Sequence, residues 1–308
     1  MRCPNFRGSL QLALFVVVLY IAGCGGTSAP PNLNVTTPAS DHLYVTTATG
    51  QILQFTLPLT NTSTPSVTVQ TTLNAFGLAV DSNGNLAVAD IAGSLAIYRL
   101  PLSGSSTPTA TFANGTFSSV GSIGFDTTGK LLAVGGIPLS PGEAVNIFSP
   151  PFSATTTPSQ TLSISGLNVG GLDSSGNLYL NTGSSPGRCG VEVLAQPYTG
   201  TPSTLVSSFC NDGMFQRSVV AAQLLFADHH ESCVETINVV PLPGSNGVAG
   251  FAPSSCSFGV FTADRNGNLY VADILANTIS VFVQPVSGGA PAVIVANVPG
   301  VRAMATGK

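Results

Sequence analysis

Three stretches carry residue types that could do chemistry. Asp228, His229, His230 and Glu231 are consecutive, and imidazoles beside carboxylates are a donor set for zinc or another divalent ion. Adjacent residues on a strand, however, point to opposite faces. Gly183-Ser184-Ser185-Pro186-Gly187 fits the Gly-x-Ser-x-Gly spacing of a nucleophilic serine, a motif that needs a strand-turn-helix elbow to present the hydroxyl. Pro186 and the surrounding β pattern argue for a plain loop. The third group, Cys189, Cys210, Cys233 and Cys256, lacks the close Cys-x-x-Cys pairs of a four-thiolate zinc site. No phosphate-binding loop or convincing triad appears, so the expectation is no catalytic residue and no resident cofactor.

The elements that carry these residues repeat. The Leu of a phrase of the type GNLYVAD recurs as Leu43, Leu86, Leu131, Leu178, Leu224 and Leu269, roughly every 45 residues. Each copy has a short apolar stretch, an Asp-x-x-Gly turn, an alternating strand, a second turn, a strand ending at Pro and a Ser/Thr-rich hairpin. The turns are Asp81 to Gly84, Asp126 to Gly129, Asp173 to Gly176 and Asp264 to Gly267; Asp can bond its own backbone there and Gly can take positive φ. Pro58, Pro101, Pro151, Pro197 and Pro285 mark the hairpins. Proline cannot donate to a ladder and belongs at an edge. Four short strands in about 45 residues is the length of one propeller blade, and nothing from Asp41 to Lys308 has a helical period.

The stretch before each turn is rich in small residues: Gly77 and Ala79, Gly121 and Gly124, Gly170 and Gly171, Ala221 and Ala222. These are the expected innermost strands, where convergence on an axis leaves no room for large side chains. The first copy lacks such a stretch, and the chain ends with one, Gly300 to Lys308. The expected architecture for 41–308 is therefore all-β: a six-bladed β-propeller of four-stranded blades, closed by the C-terminal strand pairing in the first blade, which removes an open edge.

Phe258 to Phe282, FGVFTADRNGNLYVADILANTISVF, and Phe76 to Tyr98, FGLAVDSNGNLAVADIAGSLAIY, resemble NHL repeats. The resemblance is fair in the third and fourth copies and poor in the fifth, AAQLLFADHHESCVETINVV. It implies a six-bladed propeller that acts as an interaction surface.

The first residues describe transport. Arg2 and Arg7 precede an apolar run from Leu10 to Ala22, the plan of a signal peptide. Ile21-Ala22-Gly23-Cys24 resembles the lipobox of bacterial lipoproteins, which implies cleavage after residue 23 and acylation of Cys24; two or more chains give stable membrane anchoring. Gly25 in place of an aspartate favours, by that resemblance, the outer membrane, on its periplasmic side or at the cell surface. Residues 24–40 then form an acylated tether rich in Pro, Gly, Ser and Thr. The formal net charge is −4 and becomes more negative once Arg2 and Arg7 are removed, which argues against a nucleic-acid partner. Charged residues are 7% of the chain and hydrophobic ones 44%: a folding chain with a neutral, hydroxyl-rich surface.

Counted from the repeat landmarks, Cys210 and Cys256 close fourth strands while Cys189 and Cys233 open third strands. Those ends are opposite in an antiparallel hairpin, so Cys189–Cys210 and Cys233–Cys256 is the favoured one of three connectivities, and export makes disulfides expected. In propellers the second-to-third and fourth-to-first connections surround the axial mouth. There blades four and five depart from the Ser/Thr pattern, with Arg188, then Asn211, Asp212, Met214, Phe215, Gln216 and Arg217, then Asp228, His229, His230 and Glu231. Rigid scaffolds concentrate functional residues on loops, which makes this the expected binding face. A plainer reading is two poorly packed blades that need disulfides, with solvated polar residues. The expected function is a noncatalytic, lipid-anchored binding or scaffolding module for a protein or glycan partner. Two alternatives remain: a lactonase or phosphotriesterase-type hydrolase, which shares the six-bladed form and holds calcium or zinc in the axial channel, and a surface-coat or spacer protein.

Overall fold

The computed structural model describes residues 41–115, 120–135, 144–163, 171–173, 175–181, 191–206, 217–220, 223–228, 236–241, 249–251, 258–283 and 291–308. Contacts divide the chain into Met1–Pro38 and Ala39–Lys308, and the described residues all lie in the second unit. Every regular element among them is a strand.

The first sheet contains β1 (His42–Thr47), β2 (Gln51–Thr56) and β3 (Val67–Gln70). The second is β4 (Ala75–Val80), β5 (Asn85–Asp90), β6 (Ser94–Arg99) and β7 (Ala110–Ala113). The third is β8 (Val120–Phe125), β9 (Leu131–Gly135), β10 (Ala144–Phe148) and β11 (Gln160–Ser163). Then come β12 (Leu178–Asn181), β13 (Val191–Leu194) and β14 (Ser203–Val206), and a fifth sheet of β15 (Arg217–Val220), β16 (Gln223–Asp228), β17 (Thr236–Pro241) and β18 (Ala249–Phe251). The sixth is β19 (Phe258–Ala263), β20 (Leu269–Asp273), β21 (Thr278–Phe282) and β22 (Val293–Val295), and the last strand, β23 (Val301–Gly307), returns to the first sheet beside β1. These are four-stranded antiparallel blades of a β-propeller. The fourth sheet differs: it has three strands, with a single antiparallel bridge from Leu172 to Leu178 in front of β12.

The core lies between sheets. Leu86, Ala87, Val88 and Ala89 of β5 are all fully buried. Leu86 and Val88 pack with Tyr44, Ile52 and Ala303 of the first sheet. Ala87 and Ala89 pack with Leu131, Ala133 and Phe148 of the third. Period-two alternation thus sends successive side chains into two neighbouring interfaces, and both are apolar. Comparable layers join the first and sixth sheets through Leu43, Val45, Tyr270 and Met304, and the third and fourth through Val145, Ile147, Leu178 and Leu180.

Four of the five Pro hairpins lie where the sequence places them, between the third and fourth strands of a blade, and Pro285 lies outside the described residues. Leu57-Pro58, Leu100-Pro101, Pro150-Pro151 and Gln196-Pro197 are cis. The next residue turns inward and fills the interface with the preceding sheet: Leu59, Leu102, Phe152 and Tyr198 each join the layer on that side. The hydroxyl residue after it closes a reciprocal turn. Ser103 N–H donates to Ser106 Oγ at 2.8 Å while Ser106 N–H donates to the Ser103 carbonyl at 2.9 Å, and Thr60 with Ser63 and Ser153 with Thr156 repeat it. The Ser/Thr-rich composition therefore supplies hairpin ends that need no charged groups.

Removing an inward plug leaves a cavity at a sheet interface, a change that costs about 2–5 kcal/mol for Leu→Ala. Leu102→Ala is expected to lower the urea midpoint correspondingly, whereas Ser105→Ala on the same exposed hairpin should leave it unchanged.

Candidate binding face

The up-and-down order of each blade gives the propeller two ends. First-to-second and third-to-fourth connections lie at one, the turn end. Second-to-third and fourth-to-first connections lie at the other, the mouth.

At the turn end the aspartates organise backbone. Asp264 Oδ1 accepts from the Asn266 and Asn268 N–H groups, each at 2.9 Å, and Oδ2 accepts from Asn268 Nδ2 at 2.9 Å and the Tyr270 hydroxyl at 3.0 Å. Asp173 does the same with Ser175, Asn177 and Tyr179. Asp81 accepts from Asn83 and Asn85. Gly84, Gly129, Gly176 and Gly267 close these turns at φ of 79°, 79°, 78° and 81°, a region open to glycine without penalty. Asp126 lacks a tyrosine in its own blade; its Oδ2 accepts instead from the next sheet, from Gln196 Nε2 at 2.6 Å and the Tyr198 hydroxyl at 3.4 Å. Tyr198 also donates to the Gly176 carbonyl at 2.8 Å. A shallow depression of about 470 Å³, lined by Asn177, Tyr179, Gln196 and Pro197 among others, lies beside this network.

At the mouth the inner strands share a distortion. Pairing skips one residue between Ala75 and Gly77, between Val120 and Ser122, between Phe258 and Val260, and between Met304's strand and β1 at Thr46 and Thr47, where Ala303 and Val301 are the partners. The unpaired residues are Phe76, Gly121, Gly259 and Arg302, equivalent positions on β4, β8, β19 and β23. Bulges of this kind re-aim a side chain. The strands lie side by side in the order β19, β23, β4, β8, so Arg302 and Phe76 are neighbours flanked by two glycines. The Arg302 guanidinium carbon sits 4.9 Å from the centre of the Phe76 ring, a cation–π contact. Arg302 is exposed and Phe76 half-buried. Large apolar side chains stand exposed at the same end, on the second-to-third connections: Ile91 at 42%, Ile274 at 40% and Leu275 at 81%.

Of the residues the sequence singles out, Arg188, Asn211, Asp212, Phe215, His229 and His230 lie outside the described residues, as do Cys24, Cys189, Cys210, Cys233 and Cys256. Arg217 and Asp228 are strand residues rather than connection residues, because the ladder extends further than the turn signals suggest: Arg217 opens β15 opposite Phe226, and Asp228 ends β16 opposite Thr236. Both fall at the mouth. Asp90 and Asp273 cap turns there, accepting from Ala92 N–H at 2.9 Å and Ala276 N–H at 2.7 Å. Phe76 is the mouth residue the sequence reading missed, since it looks like one more apolar strand residue.

No protein-family model and no curated protein matches the chain. Solved structures do. A chain of a nidogen/laminin complex aligns with a TM-score of 0.63 at 16% identity over 86% of this chain and 98% of that one. A putative 6-phosphogluconolactonase from Bacteroides fragilis aligns at 0.59 with 11% identity, covering 89% and 99%. A protein of unknown function from Desulfotomaculum acetoxidans aligns at 0.57 with 12% identity, covering 87% and 99%. At these identities the likeness is one of fold, the β-propeller.

The buried tyrosines make stability pH-dependent. Burial pushes the Tyr44 hydroxyl up to about 12. Burial, and then the facing aspartates, also raise Tyr179, Tyr198 and Tyr270. The folded state holds these protons more tightly than the unfolded chain, whose tyrosines titrate near pH 10. Their contribution is complete below about pH 10 and declines as pH rises through the folded values. Urea midpoints are expected to be level up to about pH 10 and to fall beyond it, less steeply in Tyr270→Phe; a midpoint that rises across that window contradicts the assignment.

Proposed function

We propose that this chain is a lipid-anchored, noncatalytic binding or scaffolding module of the bacterial envelope that presents the mouth of a closed, six-bladed, NHL-like propeller to a protein or glycan partner. The observation that carries this reading is where the propeller begins and ends. His42 pairs with Gly307, so both ends of the fold leave at the turn end. An acyl anchor on Cys24 would then join the propeller at its turn end, and the mouth is the opposite end, left to a partner.

Closure is supported by the ladder between β1 and β23, by the apolar layer joining the first and sixth sheets and by polar pins across the same seam. Arg265 Nε pairs with Asp41 Oδ2 at 2.7 Å, Thr306 donates to the Ala263 carbonyl at 2.7 Å, and Ile294 N–H donates to Asn61 Oδ1 at 3.1 Å. The lipobox-like residues 21–24 favour the anchor and an outer-membrane address. Export makes the pairs Cys189–Cys210 and Cys233–Cys256 the expected covalent ties of blades four and five. A binding role is favoured over hydrolysis because seven of the eight described aspartates are engaged structurally: Asp81, Asp90, Asp126, Asp173, Asp264 and Asp273 in turns and Asp41 in an ion pair. The nidogen/laminin neighbour is a propeller found in a protein complex, which agrees with a protein-binding role.

Affinity capture from the native membranes tests the reading. Wild type is expected to retain specific partners that an Arg217→Ala, His229→Ala, His230→Ala triple variant of equal Tm loses, and Cys24→Ala is expected to leave the membrane fraction. The same recovery from wild type and triple variant removes blades four and five as the working face. Calcium or zinc retained through purification would instead favour the hydrolase alternative.

A further inference from the structure

We propose that Arg302, backed by Phe76, is an anchor for an acidic side chain of a partner protein, a second contact region on the same mouth; this rests on the binding-module reading above. The anchor is built by four equivalent bulges. At Gly121 and Gly259 the bulge residue has no side chain, so of the four described bulges only the two adjacent ones between them carry side chains, Phe76 and Arg302.

Those two groups complete each other. Phe76 is half-buried and fixes the guanidinium over its face at 4.9 Å, which leaves the edge of the fork exposed. Guanidinium donors match a carboxylate bidentately, and a side chain already held in place loses less entropy on doing so. Among the described residues no carboxylate lies within ion-pair distance of Arg302, whereas Arg265 pairs with Asp41. In a chain of net charge −4 with nine Lys and Arg, an exposed cation at the mouth, without a carboxylate partner among the described residues, is complementary to an incoming anion.

The surroundings choose a peptide over a sugar acid. Ile91 follows β5, and its N–H donates to the carbonyl of Asn74 just before the strand that bears Phe76, at 3.1 Å. Ile274 and Leu275 stand on the other side, in the turn held to the β23 lead-in by Val298 N–H donating to the Asn277 carbonyl at 2.9 Å. A cation between two apolar ridges fits an acidic residue with apolar neighbours in an extended or looped segment. A uronate would leave the exposed Leu275 and Ile91 without matching surface.

The test is selection of a random peptide display library on the intact propeller, immobilised through its N-terminal tether. Enriched peptides are expected to carry Asp or Glu flanked by apolar residues. Synthetic copies should bind about tenfold or more weakly to Arg302→Gln of unchanged Tm, equivalent to a loss of at least ~1.4 kcal/mol, keep part of their affinity for Arg302→Lys, and weaken as salt rises. Replacing the peptide's acid by its amide should have the same effect as Arg302→Gln. Acidic peptides that bind Arg302→Gln unchanged overturn the anchor; if they are lost instead in the Arg217, His229 and His230 variant, the binding-module reading survives without it. No enriched peptide, or Arg302-dependent binding of oligoglucuronate alone, also overturns the proposal.

Discussion

Strands that converge on an axis cannot all carry side chains there, and the rest of this molecule follows from that crowding. A Cβ added to Gly77 would lie 3.0 Å from the Ala89 Cβ and 3.2 Å from Ile123 Cγ1, and one added to Gly124 would lie 2.7 Å from Leu172 Cδ1. Apolar volume is therefore displaced outward into the layers between blades. Each middle strand is buried on both faces, which is why β5 reads Leu-Ala-Val-Ala and not as an alternation of apolar and polar residues. Toward the rim each layer also takes in the residue after the hairpin proline: Leu59, Leu102, Phe152 and Tyr198.

The two ends answer different demands. At the turn end an aspartate, a glycine at positive φ and two backbone N–H groups make a five-residue unit whose backbone bonds are all local, so the same turn serves four blades while its second carboxylate oxygen finds different additional partners. The mouth end is relieved of packing by the bulge. A residue displaced from the ladder contributes little to either interblade layer, so its identity is free to vary, and the four observed are Phe, Gly, Gly and Arg.

What the sequence discloses and what it hides divide along this line. The Leu landmarks, Asp-x-x-Gly turns and Pro hairpins depend on local geometry, and each lies where the spacing puts it. The return of β23 to β1 could be inferred because one repeat lacked its inner strand. Contacts between blades were not legible: nothing near Asp126 announces that Gln196 and Tyr198 supply its last hydrogen bonds. Nor does the extra residue of a bulge carry a turn signal, so Ala75-Phe76-Gly77 looks like uninterrupted strand. Arg302 lies on an inner strand, yet its contact with Phe76 joins residues far apart in the chain, which no local pattern discloses. Arg217 and Asp228 look like loop because polar residues surround them, while backbone pairing carries the strands through both.

The pairing of β1 with β23 has a consequence for how the chain is made. β1 takes its inner neighbour from β23, at the far end of the propeller sequence, so until that strand pairs the first sheet has one exposed ladder edge. Pairing so distant in sequence is entropically slow to establish. Completion of the first sheet is then the event that covers the inner edge of β1, and without β23 that edge keeps a row of unpaired N–H and C=O groups. The seven residues of β23 thus seal the inner edge of the sheet that opens the propeller.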